Sequence, residues 1–446
     1  MRILALVDGE HYPPVTRWAI ETARDAGHEV LAALLVGGIE KLAVGEIPEL
    51  GVPVRTAGPD AMAALGRALD ELGPEGVLDL SDEPVLGYRE RMELAAVTLA
   101  RGVPYLGADF RLDPPISGAP LPVPTLAVIG TGKRTGKTAI AGEVARTAAR
   151  AAVNPVVVAM GRGGPPEPRV AAAGTVTVER LLELVRHGEH AASDYLEDAV
   201  TTGVTTVGAR RAAGGLAGAP FVSNVRPAAE LAAELGAGLV VLEGSGSAVP
   251  PVPWDAGVLV VPASAPPEYL RGYLGPFRLL LSDLVVVTMA HSPAGLENLP
   301  ALRSHVQRLH DGARLVVTDF VPLPLGDVSG ADVFFTTTAS VPVAERQAEH
   351  LEAVHGCRVV GLSARLADRA GLAEDLGGAG GYDVLLTELK AAAVDVACDR
   401  ALASGARVVF CDNRAVVVDG DADLGELVEE TIALAGRRYE RRREGR

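Results

Sequence analysis

Residues 125–138 read TLAVIGTGKRTGKT and contain the clearest structural signal in the chain. The stretch begins as a short apolar run suited to a buried parallel strand and ends as a glycine-rich turn closing in Gly-Lys-Thr. The Ala-rich segment that follows, 139–152, contains no proline and is typical of a helix. In a strand-loop-helix unit of this kind, backbone N–H groups of the loop and the helix N-terminus wrap phosphate groups. The stretch therefore predicts a phosphate-binding loop.

The loop residues have expected roles that follow from this geometry. Lys137 is expected to reach the outer phosphates of a nucleotide, and Thr138 to offer its hydroxyl to Mg²⁺. The loop has five residues between Gly130 and Gly136, where the usual motif has four. The predicted catalytic cations are Lys137, Lys133 and Arg134. The predicted nucleotide-binding residues are Gly130, Thr131, Gly132, Thr135, Gly136, Lys137 and Thr138.

Composition limits the class of protein. The 446 residues suffice for two or three domains, and 48% hydrophobic content with 4% aromatics suits Ala/Val/Leu cores between helices and parallel strands. A formal net charge of −16 argues against nucleic-acid binding, so an anionic ligand must meet a locally basic pocket. The three cysteines match neither a zinc site nor a disulfide framework, and no apolar run approaches a membrane span. We expect a cytoplasmic protein without a membrane or nucleic-acid partner.

The order of strand and helix patterns predicts an α/β fold. Residues 1–112 alternate single strands and helices, which predicts a small doubly wound domain resembling a Rossmann fold. Five prolines mark 113–124 as a linker. Residues 125–446 are predicted to form a larger P-loop NTPase-type parallel-sheet domain that binds ATP and holds the catalytic groups, and a C-terminal subdomain from about residue 330 stays open. Its strand candidates include Val156–Met160, Phe221–Asn224, Leu239–Leu242, Val258–Val261, Leu284–Thr288 and Leu315–Asp319.

A magnesium site needs an acid near the loop, and the end of another buried strand is the natural place for it. The apolar run Leu239–Leu242 is followed by Glu243 and small residues. In HGEHAASDYLEDA (187–199), His190 and Asp194, and likewise Asp194 and Asp198, stand four residues apart. This spacing predicts one helical face, which is either a metal or acid/base face or an ordinary solvated one. The predicted metal ligands are Thr138, Glu243 and Asp194.

Arginines beside glycines are the expected ligands of an anionic substrate. Arg162 stands in GRGG after a predicted strand, and Arg210-Arg211 precede AAGGLAG. Glycines allow close backbone approach and guanidinium groups match phosphate geometry, although solvated surface turns have the same composition. The run ending at Val7 places polar groups at a strand's carboxyl end, where doubly wound sheets bind ligands. The predicted substrate-binding residues are Arg162, His190, Arg210, Arg211, Asp8, Glu10 and His11.

Two late segments also place charged groups after strands. They contribute Glu388, Lys390, Asp395, Asp412, Asn413 and Arg414. Each of these residues either meets a ligand or caps a helix or turn, because Asp and Asn do both. The basic ending RRYERRREGR is either a solvated helix end or an anion-binding arm.

Several motifs resemble known families. The loop GT-four residues-GKT and Glu243-Gly244 resemble dethiobiotin synthetase. The wider set of ALVDGEHYPPV, GTGKRTGKT, HAASDYLEDA, RRAAGGLAG and TELKAAAVDV, spread over nearly the whole chain, resembles the cyclic 2,3-diphosphoglycerate synthetase family. This resemblance implies an enzyme that uses ATP and Mg²⁺ to join the two phosphates of 2,3-diphosphoglycerate, releasing ADP and phosphate. It also implies that the N-terminal domain helps to bind the substrate.

The sequence also bears on the oligomeric state and on the reaction class. We expect a homodimer. Two alternatives stay open: an ATP-dependent ligase that activates a carboxylate, and a P-loop ATPase that acts as a nucleotide-controlled switch. The number of charged groups at strand ends favours an enzyme.

Overall fold

The computed structural model describes residues 1–38, 41–42, 47–420 and 422–445. The first 112 residues form a small sheet with helices on both faces. Its elements are β1 (Arg2–Asp8), α1 (Pro13–Asp25), β2 (Glu29–Gly37), β3 (Val54–Thr56), α2 (Ala61–Leu72), β4 (Gly76–Asp79), α3 (Tyr88–Ala100), β5 (Tyr105–Leu106) and β6 (Arg111–Leu112). The strand order is β3-β2-β1-β4-β5-β6, and all neighbours are parallel except β5 and β6.

A second, larger sheet begins with the phosphate-loop strand. Its first elements are β7 (Thr125–Gly130), α4 (Lys137–Arg150), β8 (Pro155–Gly161), β9 (Arg169–Ala171), α5 (Val178–Arg186), α6 (Asp194–Thr202), β10 (Thr206–Ala212), β11 (Val222–Ser223), α7 (Val225–Glu234), β12 (Leu239–Glu243), β13 (Ala256–Pro262), α8 (Glu268–Arg271), α9 (Gly275–Leu280), β14 (Leu284–Thr288), α10 (Pro293–Leu309) and β15 (Arg314–Pro324).

The same sheet continues into the C-terminal part. Its elements are β16 (Asp332–Thr336), α11 (Val341–His355), β17 (Arg358–Ser363), α12 (Arg369–Gly378), β18 (Val384–Thr387), a π-helical segment (Ala393–Cys398), α13 (Asp399–Ala403), β19 (Arg407–Gly420) and α14 (Leu424–Glu444). The strand order is β11-β10-β8-β12-β7-β13-β14-β15-β19-β18-β16-β17, with β9 paired to β10. The predicted α/β fold class, with a small domain before a P-loop domain, is confirmed.

The centre of the large sheet is buried on both faces. The runs Leu126–Ile129, Val240–Leu242 and Val258–Val261 have no exposed surface. These runs are continuously apolar because helices cover both sides of the parallel strands. Burying each Val or Leu side chain contributes roughly 1.5–3 kcal/mol. Because β8, β12 and β7 are parallel neighbours, their carboxyl ends lie side by side and bring their following loops together.

Two long strands join the halves of this sheet. β15 and β19 pair antiparallel, from the pair Val316 and Gly420 to the pair Pro324 and Cys411. The sequence predicted a parallel sheet; the sheet is mostly parallel but contains this antiparallel pair. β19 also pairs parallel with β18. The C-terminal strands therefore extend the phosphate-loop sheet without interruption.

The strand predicted at Phe221–Asn224 is wrong as a central strand. Only Val222–Ser223 is extended, in an exposed edge strand antiparallel to β10. The sequence reasoning missed β10 itself, which is parallel to β8 and buried over Thr206–Ala209. The polar ending Ala-Arg-Arg-Ala obscured the apolar pattern of β10, yet this strand places Arg210 and Arg211.

The last helix, α14, is joined by hydrogen bonds and ion pairs to the P-loop domain and to the segment before β7. The Tyr439 hydroxyl donates to the Pro122 carbonyl oxygen at 2.7 Å, and the Arg442 guanidinium donates to Leu121 O and pairs with Asp255, both at 3.1 Å. Arg438 pairs with Asp283 at 2.7 Å. These bonds fix the segment before β7, so the basic ending is neither wholly solvated nor a free arm. In the part of the chain that is described, no helix is both long and apolar enough to cross a membrane.

Candidate phosphate-binding site

The loop between β7 and α4 has the backbone shape of a phosphate cradle. Arg134 and Gly136 have φ angles of 60° and 87°, in the left-handed region. A Cβ atom on Gly136 would stand 2.4 Å from Cζ of Phe320, so glycine is needed there for both conformation and space. α4 begins directly at Lys137, and its first N–H groups have no partner within the helix. The cradle is therefore open to an anion at the helix N-terminus.

Lys137 is held inside the loop. Its side chain is 7% exposed, and Nζ donates to Gly132 O at 2.8 Å and to Thr135 Oγ1 at 3.2 Å. Burial lowers the pKa of Lys137 to about 8, and the nearby charges of Arg162 and Arg211 act in the same direction. The lysine is thus an ammonium that a bound phosphate would stabilise further.

Glu243 lies at the end of β12 beside the first turn of α4. Thr138 Oγ1 donates a hydrogen bond to Glu243 Oε1 at 2.7 Å. The carboxyl is 4% exposed, and in the described residues its Oε2 atom receives no hydrogen bond from an N–H or hydroxyl group; its hydrogen-bonding neighbour is the carboxyl of Asp198. Burial, followed by the charge of Asp194, raises the pKa of Glu243 to about 7. Two adjacent buried carboxyl groups next to a loop hydroxyl fit a divalent cation, which would replace the proton that they share.

α6 adds two more acids to the same place. Asp198 is fully buried, no N–H or hydroxyl group in the described chain donates to its carboxyl oxygens, and its hydrogen-bonding neighbour is the carboxyl of Glu243. Burial and the neighbouring Glu243 raise the pKa of Asp198 well above its usual range. Asp194 Oδ2 lies 3.3 Å from the Cβ position of Gly161 at the end of β8, and burial raises its pKa against the opposing charge of Lys137.

These acids do not form a metal cage by themselves. Across the described ranges, no group of three or more His, Cys, Asp or Glu is arranged to hold a metal ion. Mg²⁺ in nucleotide sites is usually bound by one or two protein oxygens together with phosphate oxygens and water. Thr138, Glu243 and Asp194 can supply the protein oxygens of such a site.

The predicted helical face of His190, Asp194 and Asp198 needs correction. α6 begins at Asp194 after Ser193, so His190 precedes the helix and cannot share its face. Asp194 and Asp198 do lie on one helix. The His190 ring nevertheless reaches this edge of the sheet, because its Cδ2 atom stands 2.9 Å from the Cβ position of Gly163.

Two arginines converge next to Lys137. A Cβ atom at Gly246, which has φ 61°, would lie 2.8 Å from Arg162 Nη2 and 3.4 Å from Arg211 Nη2. Arg211 donates to Ser245 O at 2.8 Å, and burial and the charge of Arg162 lower its pKa. Arg210 is more exposed and donates from Nε to Gly164 O at 3.2 Å. Within the described residues, none of these three arginines forms an ion pair, although the charge of Asp194 acts on Arg162 and Arg211.

Arg278 supports this arrangement and was missed by the sequence reasoning. It is 6% exposed, and its guanidinium donates to Ser247 O at 2.7 Å and to Leu274 O at 3.0 Å. Burial lowers its pKa to about 10. The sequence signal for this residue is an arginine inside the apolar run GPFRLLL. Such an arginine is expected to be buried and hydrogen-bonded, here to the loop that also accepts a hydrogen bond from Arg211.

The three N-terminal residues predicted to bind substrate form a separate cluster. Asp8 accepts hydrogen bonds from the backbone N–H groups of Glu10 and Asp82 at 3.0 and 2.7 Å, and its Oδ1 lies 2.8 Å from His11 Nδ1. The described contacts of Asp8 and His11 stay within the N-terminal domain. The structure does not join them to the phosphate-binding loop.

The fold and the site define a P-loop nucleotide-binding protein. Family models of cyclic 2,3-diphosphoglycerate synthetase match three successive regions: its N-terminal domain over 2–113, its P-loop domain over 125–318 and its C-terminal domain over 324–414. The chain belongs to the cyclic 2,3-diphosphoglycerate synthetase family. The resemblance inferred from the motifs is thereby confirmed.

Relatives of that name cover nearly the whole chain. The protein of Rubrobacter xylanophilus is 48% identical, over 96% of this chain and 97% of its own. Those of Methanothermobacter thermautotrophicus and Thermococcus kodakarensis are 42% and 43% identical, each over 98% of this chain and over 96% and 100% of their own. The solved ATP complex of LpxK from Aquifex aeolicus is 12% identical with a TM-score of 0.40, over 73% of this chain and 91% of its own; this likeness supports no functional inference.

Proposed function

We propose that the protein uses ATP to close 2,3-diphosphoglycerate into its cyclic pyrophosphate, with release of ADP and phosphate. An oxygen of one substrate phosphate attacks the γ-phosphorus of ATP, and ADP leaves. The other substrate phosphate then attacks the activated phosphorus, which forms the P–O–P bond of the ring and expels inorganic phosphate. Family membership supports this reaction, and both steps bring together groups of the same charge.

A concentration of positive charge at one sheet edge is the observation on which the proposal depends. The chain has a net charge of −16, yet Arg162 and Arg211 approach each other beside Lys137 with no ion pair among the described residues, and Asp194 is the acid whose charge acts on both arginines. Like charges held together in this way need an anion between them. A substrate with two phosphates and a carboxylate supplies that charge. We assign Arg162, Arg210, Arg211 and His190 to the bisphosphate.

The loop would bind and orient ATP. Backbone N–H groups between Gly130 and Gly136 and the N-terminus of α4 face the phosphates, and Lys137 would exchange its present bonds to Gly132 and Thr135 for phosphate oxygens. Lys133 and Arg134 are exposed at the loop tip. There they can offset charge on the transferred phosphoryl group, because phosphoryl transfer depends mainly on positioning and electrostatic stabilisation.

The acids beside the loop fit a bound Mg²⁺. Thr138, Glu243 and Asp194 would hold it, and the ion would supply charge neutralisation between the phosphates. The burial of the Glu243 carboxyl between the Thr138 hydroxyl and the Asp198 carboxyl supports this assignment. The proposed roles of the N-terminal domain in substrate binding, with Asp8, Glu10 and His11, and of a homodimer remain predictions.

Arg211→Ala tests the assignment of the arginines to the bisphosphate. The variant should raise the KM for 2,3-diphosphoglycerate about tenfold or more and change the KM for ATP little, since one charged hydrogen-bonding group is worth roughly 1.5–3 kcal/mol. Arg180→Ala, which removes an exposed ion pair with Glu183, is the matched control. If the KM values and turnover of Arg211→Ala were unchanged, Arg211 would have no role in binding the substrate. ATP turnover that responds only to a carboxylic acid and an amine, or to no small molecule, would favour the ligase or the switch instead.

A further inference from the structure

Lys390 is one of four lysines in a chain whose Lys and Arg residues total 41. Two of the others, Lys133 and Lys137, belong to the phosphate-binding loop. A lysine is a compact charge on a flexible stem, whereas a guanidinium requires acceptors matched to its planar fork. Lys390 follows β18, in the C-terminal part of the sheet, and none of the roles proposed above uses it.

The ammonium group of Lys390 lies against α6. Its Nζ atom is 3.2 Å from Glu197 Oε1. Glu197 stands on α6 between Asp194 and Asp198, the acids beside the phosphate-binding loop. Burial raises the pKa of Glu197, and Lys390 opposes this effect while Asp194 reinforces it. Lys390 therefore supplies, from the C-terminal part, a positive charge to the buried acids of the site.

The turn that presents Lys390 is fixed from its other side. Glu388 is 4% exposed and accepts hydrogen bonds from the hydroxyls of Thr337 and Thr338 at 3.0 and 2.8 Å and from Asn413 Nδ2 at 2.9 Å. Burial acts to raise the pKa of Glu388, but Lys390 and these hydrogen bonds outweigh it and lower the pKa. A charged Glu388 and its donors thus hold the turn after β18 in a fixed position.

The backbone after Lys390 is strained and packed. Ala391 has φ 47°, a left-handed conformation that costs a residue with a Cβ about 1 kcal/mol or more. The segment that follows is π-helical, a rare form that occurs frequently at functional sites. Leu389 and Val394 belong to the same buried apolar cluster as Leu196 of α6. The packing therefore buries the strained turn in the core that also holds α6, and the Lys390–Glu197 ion pair joins the two directly.

We infer that Lys390 is a positioning residue for the phosphate-binding site, which through Glu197 holds α6 and its acids in the place that a metal-nucleotide complex requires. The C-terminal part of the sheet would then set the nucleotide affinity of the loop. α6 packs on α4, the helix that begins at Lys137, so a displacement of α6 reaches the loop. The inference rests on the proposed function only in taking a magnesium nucleotide as ligand.

The test is the Kd of MgADP, measured by calorimetry without the bisphosphate. Lys390→Met should weaken binding about tenfold or more, as removal of a supporting residue behind a metal site does. Lys390→Arg keeps the charge and should recover most of the affinity. Lys390→Met/Glu197→Gln should bind no better than Lys390→Met, because burial protonates Glu197 once Lys390 is removed and both variants lose the ion pair. Arg358→Met, which breaks an exposed ion pair with Asp332, is the control and should bind normally.

Two results would overturn the inference: a Kd for Lys390→Met within twofold of the original protein, or a Lys390→Arg variant that binds no better than Lys390→Met. Circular dichroism and thermal melting show whether each variant is folded. If Lys390→Met does not fold, the inference stands only if Lys390→Arg binds within about threefold of the original protein while Glu197→Gln is weakened. Failure of the unaltered protein to bind MgADP would contradict the proposed function instead.

Discussion

Thr138 Oγ1 donates a 2.7 Å hydrogen bond to Glu243 Oε1, which joins the first turn of α4 to the end of β12. The two residues are 105 positions apart in the chain and meet because β7 and β12 are parallel neighbours. The other side of the buried Glu243 carboxyl adjoins the carboxyl of Asp198. The hydroxyl and the carboxylate are thus held ready for one cation.

Glu243→Gln should raise the Mg²⁺ concentration for half-maximal ATP turnover about tenfold or more, because the amide keeps the size of the side chain and removes its charge. Steady-state rates over a magnesium titration measure this. Glu234→Gln alters an exposed acid at the end of α7 and should behave like the original protein. Equal magnesium dependence in the two variants would exclude Glu243 from the metal site.

ADP binding without magnesium should take up protons near pH 8. Burial lowers the pKa of free Lys137 to about 8, and a bound phosphate raises it, so part of the population gains a proton on binding. At pH 6 the lysine is already charged and its share of the uptake should vanish, while above pH 8 the affinity should fall. Calorimetry in two buffers of different ionisation enthalpy measures the uptake. Lys137→Met should abolish it; an undiminished uptake in that variant would assign it to another group.

Gly246→Ala should raise the KM for 2,3-diphosphoglycerate about tenfold, since the new Cβ would stand 2.8 Å from Arg162 Nη2 and push the guanidinium aside. The φ of 61° adds a backbone cost of roughly 1–2 kcal/mol. Gly174→Ala separates the two effects, because Gly174 has φ 70° and nothing within 4 Å of its Cβ position. Both variants should melt at lower temperature, but only Gly246→Ala should change KM. A similar KM change in both would refute the steric account.

Asp198→Asn should stabilise the metal-free protein and slow turnover. Burial raises the pKa of Asp198, so the folded state holds a proton that the unfolded state releases above the usual aspartate range. The free energy of unfolding therefore falls as pH rises from about 4 toward the raised pKa. Each tenfold difference in proton affinity between the folded and unfolded states changes it by about 1.4 kcal/mol. The gain in melting temperature should be larger at pH 8 than at pH 5. Asp311→Asn, at an exposed turn, is the control; a gain independent of pH would contradict this explanation.

The phosphate-binding loop was predictable from sequence because its signal is local. Strand, glycines, Lys137 and helix are contiguous, and Glu243 follows an apolar run whose burial on both faces is visible in its composition. The central parallel strands were found for the same reason. The resemblance of motifs along the chain added the family.

The rest of the site depends on contacts between distant segments. β10 has a polar end and was missed, so the convergence of Arg162 and Arg211 at Gly246 could only be proposed from their glycines. The antiparallel pairing of β15 with β19 brings Lys390 to α6, and no local pattern encodes this pairing. Buried polar residues such as Arg278 resemble surface residues until their surroundings are known.

Phosphorus NMR of the protein incubated with ATP, Mg²⁺ and 2,3-diphosphoglycerate tests the proposed reaction most directly. A cyclic pyrophosphate signal should appear together with ADP and inorganic phosphate in equal amounts, and Lys137→Ala should produce none while remaining folded. ATP left intact, or ATP consumed without the cyclic signal, would contradict the proposed cyclisation.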